Sequence, residues 1–357
     1  MDCLIVGGGL IGMLCARMLS DAGAAVCLVE KGEAGREASW AGGGILSPLY
    51  PWRYPAAVTA LARHSQQEYR ELAQRLLDET GVDPQWQRSG LLILDEEERE
   101  QASSWARETG VVLERLSGAA LSACEAGLDP AWRRALWMPQ VAQLRNPRLL
   151  QALLGSLRLR GVKLREHTRV TRLVVRRGRV LGVEAGGDRL PADRVVLAAG
   201  AWSGLLLPEL RGRVEPVRGQ MIAFRARPGA LSRIVLHSGQ YVIPRRDGLV
   251  LAGSTLERCG FNKGTTTSAR RQLRDAAVRM IPALADAPIT YHWAGLRPGS
   301  PEGVPFIGEH PSVAGLFINS GHYRNGVVTG PASARLMVDL ITGGKPLVNP
   351  EPYGILE

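Results

Sequence analysis

The residues most suited to chemistry are the glycines between Gly7 and Gly12. Their letters, GGGLIG, match the pattern G-x-G-x-x-G and follow a short apolar run. In that pattern Gly7 permits a tight turn, Gly9 lets backbone N–H groups approach a pyrophosphate, and Gly12 lets a helix pack on a sheet. We therefore predict a dinucleotide site at Gly7, Gly9 and Gly12, with the positive end of the helix toward the phosphates.

Two further features indicate which dinucleotide would bind. Glu30 ends a second apolar run, Ala25 to Val29, where a carboxylate accepts hydrogen bonds from ribose hydroxyls and repels a 2′-phosphate. FAD or NAD is therefore favoured over NADP. A second glycine cluster, Gly42 to Gly44, favours FAD because bare backbone lies close against a flat ring system. A flexible loop is the alternative interpretation of this cluster.

The elements that would position these residues follow from hydrophobic periodicity. A strand, the glycine turn, a helix over Leu10 to Ser20 and a second strand form a βαβ unit. Asn146 and Pro147 predict another helix start, with the Asn146 side chain as its cap. Short β-like runs between Arg218 and Trp293 indicate an antiparallel sheet.

The predicted fold class is α/β, with a Rossmann-like FAD-binding domain and a second α+β substrate domain built on an antiparallel sheet. Apolar strands at Arg194 to Ala199 and Gly315 to Asn319 would join the βαβ unit in one sheet, which makes the first domain discontinuous. The predicted FAD-binding domain comprises residues 1–80, 145–215 and 300–357. The predicted substrate domain comprises residues 81–144 and 216–299.

Composition narrows the class of protein. The 357 residues are 45% hydrophobic and 22% charged, as in an ordinary globular protein. The net charge of +10 comes almost wholly from arginine, but no basic and aromatic motif accompanies it, so no nucleic-acid partner is expected. The five cysteines show no metal-binding spacing, and no apolar run is long enough to span a bilayer. We expect a cytoplasmic protein without a metal or a membrane partner, and homo-oligomer formation stays open.

Several segments together resemble the D-amino acid oxidase superfamily of flavoproteins, and within it they are most similar to the bacterial glycine oxidases. The resemblance extends over essentially the whole chain. It is carried by Gly7 to Gly12, Glu30-Lys31, Ser39 to Leu46 (SWAGGGIL), Val196 to Trp202 (VLAAGAW), Tyr241 to Arg245 (YVIPR), Trp293 to Gly299 (WAGLRPG) and Gly321 to Gly326 (GHYRNG).

The resemblance implies roles for individual residues. Arg297 would bind the substrate carboxylate through its planar fork, Tyr241 would add a hydroxyl donor, and Arg324 would lie near the substrate and the flavin. In the glycine turn the resemblance implies FAD contacts at Leu10 and Ile11. Further FAD contacts are implied at Glu30, Lys31, Ala38, Ser39, Gly42, Gly43, Gly44, Ile45, Val170, Gly200, His322, Tyr323, Arg324, Asn325, Gly326, Val327 and Val328.

The resemblance also implies an activity. We expect FAD-dependent oxidative deamination of glycine, other small amines or D-amino acids by hydride transfer to flavin N5. The products would be an imine or 2-oxo acid, ammonia and, with molecular oxygen as the oxidant, hydrogen peroxide. The imine would suit thiazole synthesis in the thiamine pathway. A D-amino acid dehydrogenase that uses a quinone or another acceptor and a tRNA-modifying flavoprotein module are the alternatives.

Two details refine this expectation. In related sarcosine oxidases a cysteine attaches the flavin covalently, but Trp293 to Pro305 contains no cysteine here, so the FAD should bind non-covalently. Gly239 removes a side chain from a segment expected to border the substrate. We therefore expect a pocket with more room than glycine needs.

Overall fold

A computed structural model describes residues 2–227 and 229–355 as strands, helices and connecting turns. The strands are β1 (Asp2–Val6), β2 (Ala25–Val29), β3 (Gln87–Arg88), β4 (Leu91–Ile93), β5 (Glu114–Ser117), β6 (Arg134–Met138), β7 (Ala142–Gln143), β8 (Lys163–Arg165), β9 (Val170–Arg176), β10 (Arg179–Ala185), β11 (Asp188–Pro191), β12 (Arg194–Leu197), β13 (Glu215–Arg225), β14 (Ile234–His237), β15 (Gln240–Pro244), β16 (Leu249–Gly253), β17 (Ile289–Gly299), β18 (Phe306–Glu309) and β19 (Leu316–Ser320). The α-helices are α1 (Leu10–Asp21), α2 (Ala38–Ala41), α3 (Ala56–Thr80), α4 (Arg99–Thr109), α5 (Gly118–Cys124), α6 (Asn146–Leu159), α7 (Ser203–Leu206), α8 (Thr267–Met280) and α9 (Gly330–Thr342).

The first sheet has the strand order β18-β19-β12-β1-β2-β8. Its pairings are parallel, apart from the antiparallel edge pair β18 and β19. Alternate residues of β1 enter different cores: Cys3 and Ile5 pack with helices α1, α3, α6 and α9, whereas Leu4 and Val6 pack with the β9–β10 ribbon. Because both faces are covered, these strands are almost wholly apolar. This sheet confirms the predicted Rossmann-like part of the fold.

The second sheet has the order β17-β13-β16-β15-β14-β4-β6-β5. Its pairings are antiparallel, as predicted, except for the parallel pair of β14 and β4. One face packs against α8 through Leu273, Ala277 and Met280. The other face carries Tyr241 and packs against Tyr50, which belongs to the segment that follows α2.

The strand β17 differs from what the sequence suggests. Its residues include Gly295, Pro298 and Gly299, which are typical of a loop, yet they form the end of an 11-residue strand. The strand lies at the edge of the sheet, where a proline costs no ladder hydrogen bond on its outer side. Glycines in a strand mark places where another group comes close, and Gly295 lies against Ala41 of α2.

Asn146 begins α6 as predicted, but its side chain is not the cap. Arg145 occupies the capping position, and no side chain caps this helix. The Asn146 amide instead donates a 2.7 Å hydrogen bond to the carbonyl of Ser39. The prediction of a cap was wrong because a tertiary contact with the α2 region competes for the same amide group.

The helices α1, α3 and α6 are joined by an ionic network. Glu79 of α3 accepts hydrogen bonds from Arg17 at 2.6 Å and from Ser156 at 2.6 Å. It also accepts from Arg160 at 2.9 Å. Burial acts to raise the pKa of Glu79, but the hydrogen bonds from Arg160, Ser156 and Arg17 outweigh it and lower the pKa to about 2. The carboxylate therefore holds the helices that pack on the first sheet.

We expect Glu79→Gln to lower the free energy of unfolding by about 2 kcal/mol at pH 7, because it removes the shorter ion pair of the nearly buried Arg17 and leaves only the 3.5 Å pair with Asp21 among the described residues. Urea unfolding followed by circular dichroism measures the change. Glu71→Gln is the matched control, since Glu71 lies on the same helix in an exposed pair with Arg75. Equal stability of both variants would contradict the assignment.

Candidate active site

A cavity of about 400 Å³ lies at the carboxyl ends of the parallel strands β1, β2 and β12. Ligands of open α/β sheets bind at this edge. The predicted site residues that line it are Gly7, Gly9, Leu10, Ile11, Glu30, Lys31, Ala38, Ser39, Gly42, Val170, Gly200, His322, Tyr323, Arg324, Gly326 and Val327, together with Arg297.

The glycine turn has the geometry that its spacing indicates. Gly7 has a φ of 114°, and a Cβ there would lie 2.3 Å from the carbonyl oxygen of Ala198. A Cβ on Gly12 would lie 2.0 Å from the carbonyl oxygen of Gly7. Gly12 therefore serves the packing of α1 and does not itself line the cavity. The turn brings the N-terminus of α1 to the cavity, where anions are favoured.

Glu30 is fixed at the end of β2 by backbone donors. The N–H of Gly8 donates to one of its carboxylate oxygens at 2.8 Å, and the N–H of Gly32 donates to the other at 3.1 Å. Each oxygen retains lone pairs, so the carboxylate can also accept hydrogen bonds from a ligand in the cavity. Lys31 follows it, with its ammonium 2.9 Å from the ring centre of Trp202.

A smaller chamber of about 80 Å³ adjoins this cavity. Both are lined by Ala38, Gly42, Arg297, Arg324 and Val327, so these residues mark the boundary between the two. The chamber is also lined by the predicted residues Gly43, Gly44, Ile45 and Tyr241, and by Gly219, Met221 and Ser254, which the sequence did not single out. Only a small ligand fits such a volume.

Arg297 reaches the chamber from the edge strand β17. Its guanidinium donates to the Ser254 hydroxyl at 2.7 Å and to the Thr255 carbonyl at 3.2 Å. It lies across Gly219 of the neighbouring strand, where a Cβ would come within 2.1 Å of Nη1. Among the residues described, no carboxylate forms an ion pair with it. Burial lowers the pKa of Arg297, because the charged guanidinium is removed from water at a site where no described carboxylate pairs with it.

Tyr241 and Arg324 complete the polar wall of the chamber. Tyr241 is buried, and its hydroxyl oxygen accepts a hydrogen bond from Arg297 that acts to raise the pKa of the guanidinium. The hydroxyl proton has a long contact of 3.8 Å with the sulfur of Met221. Arg324 donates one weak bond, 3.4 Å long, to the Gly239 carbonyl. Within the described part of the chain Arg324 also lacks an acidic partner. Two guanidiniums and a hydroxyl with spare donors therefore surround a small volume, which suits a small carboxylate.

Some predicted residues lie off both cavities. Asn325 and Val328 are buried behind the loop that follows β19 and line neither space. Gly239 lines a separate surface cleft next to Arg324 and is absent from the chamber wall. The expectation that Gly239 enlarges the substrate pocket was therefore wrong, because the preceding turn carries it outward. Gly219 could have been identified from the sequence, since a glycine inside a strand often marks a place where another group comes close to the backbone.

His322 is buried beside the larger cavity. The Ser333 hydroxyl donates to Asn319 Oδ1 at 2.7 Å, so it accepts from Nε2–H of His322 at 2.8 Å. Burial lowers the pKa of His322 to about 3. The imidazole is neutral at ordinary pH and serves as a fixed hydrogen-bond donor within the loop.

Comparison with known proteins agrees with this geometry. The sequence model of the DAO family, described as FAD dependent oxidoreductase, matches residues 2–340. The chain belongs to this family. It is 50% identical over 353 residues to the glycine oxidase of Pseudomonas aeruginosa, covering 98% of this chain and 97% of that protein. The solved structure of glycine oxidase from Geobacillus kaustophilus superposes with a TM-score of 0.93 at 28% identity, covering 100% of this chain and 98% of that one.

A further relative is longer than this chain. The bifunctional protein ThiO/ThiG of Nostoc is 31% identical over 350 residues, which are 96% of this chain and 53% of that protein. This chain therefore spans about half of that relative.

The larger cavity fits the FAD that defines the DAO family. It offers the helix N-terminus for phosphates, a fixed carboxylate for a ribose and a glycine-lined boundary for a flat ring. None of the five cysteines lines it within the described residues. Among those residues, likewise, no helix combines the length and apolar character needed to cross a bilayer.

The buried His322 predicts a pH dependence of stability. Its pKa is about 3 in the folded protein and about 6.5 in an unfolded chain, so between these values only the unfolded chain takes up the proton. Stability is retained above pH 6.5 and falls as the pH decreases, by up to about 1.4 kcal/mol per pH unit. We expect His322→Gln to show a flatter decline between pH 6.5 and 4.5 in urea unfolding. Parallel curves for both proteins would refute this.

Proposed function

We propose that this chain oxidises glycine, and with lower efficiency other small amines and D-amino acids. The observation that carries the proposal is the Arg297 guanidinium, which faces a chamber of about 80 Å³ and has no ion pair with any carboxylate that the structure describes. A small amino acid brings the missing anion and fits the volume. The names of the relatives, glycine oxidases over nearly the whole chain, support the same substrate.

The residues act by binding and orientation. Arg297 would hold the substrate carboxylate through its planar fork, and Tyr241 would donate its hydroxyl to the same group. Ser254 and the Thr255 carbonyl keep the Arg297 fork in one orientation. The substrate α-carbon is then held toward the boundary with the larger cavity. Such positioning contributes strongly to rate when no protein base is needed, because an amine that arrives neutral only has to lose a hydride.

The cofactor contacts follow from the lining of the larger cavity. We propose that the glycine turn, Glu30, Lys31 and the loop from His322 to Val327 hold the FAD without a covalent bond. When bound, FAD supplies the acceptor for the two electrons of the substrate C–H bond and passes them to molecular oxygen. Glycine, oxygen and water would give glyoxylate, ammonia and hydrogen peroxide, with the imine as the first product of oxidation.

The two sheets support the proposed division of the chain. We assign residues 1–80, 145–215 and 300–357 to the FAD-binding domain and residues 81–144 and 216–299 to the substrate domain. The strands of the first sheet fall in the first set, and those of the second sheet fall in the second set except for Glu215 at the start of β13. Positions 1, 228, 356 and 357 of these ranges lie outside the described residues.

A place in metabolism follows from the product. We propose that the imine formed from glycine is used for thiazole synthesis in the thiamine pathway. The similarity to ThiO/ThiG, a bifunctional protein, supports a link between this oxidation and a second activity. The relatives favour neither the dehydrogenase nor the tRNA-modifying alternative. The two Pseudomonas relatives, 50% and 48% identical to this chain, are both named glycine oxidases.

The deciding experiment is a peroxide assay on the purified, FAD-loaded protein. We expect peroxide release with glycine at the highest kcat/KM, and lower values with sarcosine and D-alanine. Oxygen consumption should match peroxide formation. Rapid reduction of an artificial dye with no peroxide would instead identify a dehydrogenase, and no turnover of any of these amines would reject the proposed substrate class.

Variants of Arg297 test the carboxylate anchor. We expect Arg297→Met to lower kcat/KM for glycine about a thousandfold, because a buried charge-assisted pair is lost. Arg297→Lys should recover part of this loss, since it keeps the charge but not the planar fork. Retention of FAD, read from the visible spectrum, is the control. Near-normal kcat/KM in Arg297→Met would exclude the anchor.

Gly219→Ala tests the space that Arg297 needs. The new Cβ would overlap the guanidinium, so we expect the KM for glycine to rise at least about tenfold while FAD stays bound. Gly308→Ala is the matched control, because Gly308 also lies in a strand but its Cβ would meet nothing within 4 Å. The idea fails if both variants show the KM of the parent protein.

A further inference from the structure

Arg245 lies just behind the glycine segment Gly42 to Gly44, on the side away from the two cavities. It is one residue past the end of β15, and it lines neither space. Side chains alternate between the faces of a strand, so Arg245 shares a face with Tyr241 and Ile243. A Cβ on Gly43 would touch both of those side chains, at 3.1 Å and 2.8 Å. The three residues thus form a row along the glycine segment.

The Arg245 guanidinium ties together two stretches of backbone. One terminal nitrogen donates to the Gly43 carbonyl at 2.6 Å. The other donates to the Leu144 carbonyl at 2.9 Å and to Gln143 Oε1 at 2.7 Å. These stretches also pair directly, since the Leu144 N–H donates to the Gly44 carbonyl at 3.0 Å. The contact is a crosslink at the place where the glycine segment meets the rest of the fold.

This crosslink fixes the orientation of the peptide between Gly43 and Gly44. In a trans peptide the C=O and the N–H point in opposite directions. Because the Gly43 carbonyl points to Arg245, the Gly44 N–H points away from it. Gly44 itself lines the chamber that adjoins the larger cavity. Gly44 is buried, and no acceptor for its N–H is found in the described part of the chain. A buried N–H without a partner is costly, so it indicates an acceptor on the ligand.

Within residues 2–227 and 229–355, no carboxylate forms an ion pair with Arg245. Asp247, the acid that acts on it, forms its ion pair with Arg145 at 2.7 Å. Burial, followed by the repulsion of Arg145, lowers the pKa of Arg245 to about 10. It therefore stays protonated at neutral pH. A positive charge close to a ring that accepts electrons makes the ring easier to reduce.

We propose that Arg245 is a positioning residue for the flavin: it turns the Gly43–Gly44 peptide so that an N–H faces the ring, and its unpaired charge raises the reduction potential of the bound FAD. The proposal rests on the FAD dependence of the family and on the contacts of Arg245. It does not depend on glycine as the substrate, so its failure leaves the proposed substrate untouched.

Four variants of the full-length protein separate position from charge. Arg245→Met removes both, and Arg245→Lys keeps the charge without the fork. Gln143→Glu keeps the hydrogen bond to Arg245 and adds a carboxylate partner. Arg145→Gln is the matched control, because it removes a neighbouring cation that does not touch the glycine segment. Apoprotein titrated with FAD gives the Kd from flavin fluorescence, and dye-coupled reduction gives the midpoint potential.

We expect Arg245→Met to raise the Kd for FAD at least about tenfold and to lower the midpoint potential. Arg245→Lys should raise the Kd about tenfold with a smaller fall in potential, and Gln143→Glu should lower the potential while the Kd stays within about twofold. Arg145→Gln should leave the Kd unchanged, because Arg145 does not touch the glycine segment. If Arg245→Met does not fold, the lysine and Gln143→Glu variants decide.

The proposal is overturned if folded Arg245→Lys binds FAD like the parent protein, or if Arg145→Gln weakens FAD binding as much as either Arg245 variant. An unchanged potential in Gln143→Glu would equally remove the role of the charge.

Discussion

The site depends on positive charge that the protein does not neutralise. Arg297, Arg324 and Arg245 stand around the glycine segment, and none forms an ion pair with a described carboxylate. Elsewhere the fold does pair such groups, as Arg17 and Arg160 do with Glu79. Desolvating a guanidinium without a counter-ion is costly. Under the proposals above, the substrate carboxylate would offset this cost at Arg297 and Arg324, and the reduced flavin would do so at Arg245. Under the proposed function, this uncompensated charge would select substrates that carry a carboxylate.

This charge can be kept in place only because neighbouring positions lack side chains. On the antiparallel pair of β13 and β17, Arg297 lies opposite Val217, and Gly219 is its diagonal neighbour. Diagonal neighbours are within reach of a long side chain, so the arginine lies flat across the bare backbone of Gly219. Gly295, two residues before Arg297, lets α2 pack against the same strand. The glycines of both strands thus set the shape of the chamber.

The elements with strong local patterns could be predicted from sequence. The strand from Ala25 to Val29 has its predicted bounds, and α1 begins at Leu10 as predicted and ends one residue beyond the predicted Ser20. The glycine turn was identified because its spacing has one physical explanation. By contrast, β17 reads as a loop, because its glycines and its proline suit an edge strand for reasons of tertiary packing. The parallel pairing of β14 with β4 has no local pattern at all, since residues far apart in sequence form it.

The same distinction applies to the site. Residue type and resemblance pointed to Arg297, Tyr241 and Arg324, whose chemistry is visible in the side chain. Ser254 and Arg245 act on other residues, so nothing in their local sequence distinguishes them from ordinary polar positions. The positions of Ser254 and Arg245 follow from the strand order of the second sheet. In that sheet β15 and β16 are neighbours, and β13 separates β16 from β17. This order brings Tyr241 and Arg245 to the glycine segment from one side, while Ser254 meets Arg297 from the other. Under the proposals made above, the second sheet would therefore both orient the substrate and hold the glycine segment Gly42 to Gly44 in place.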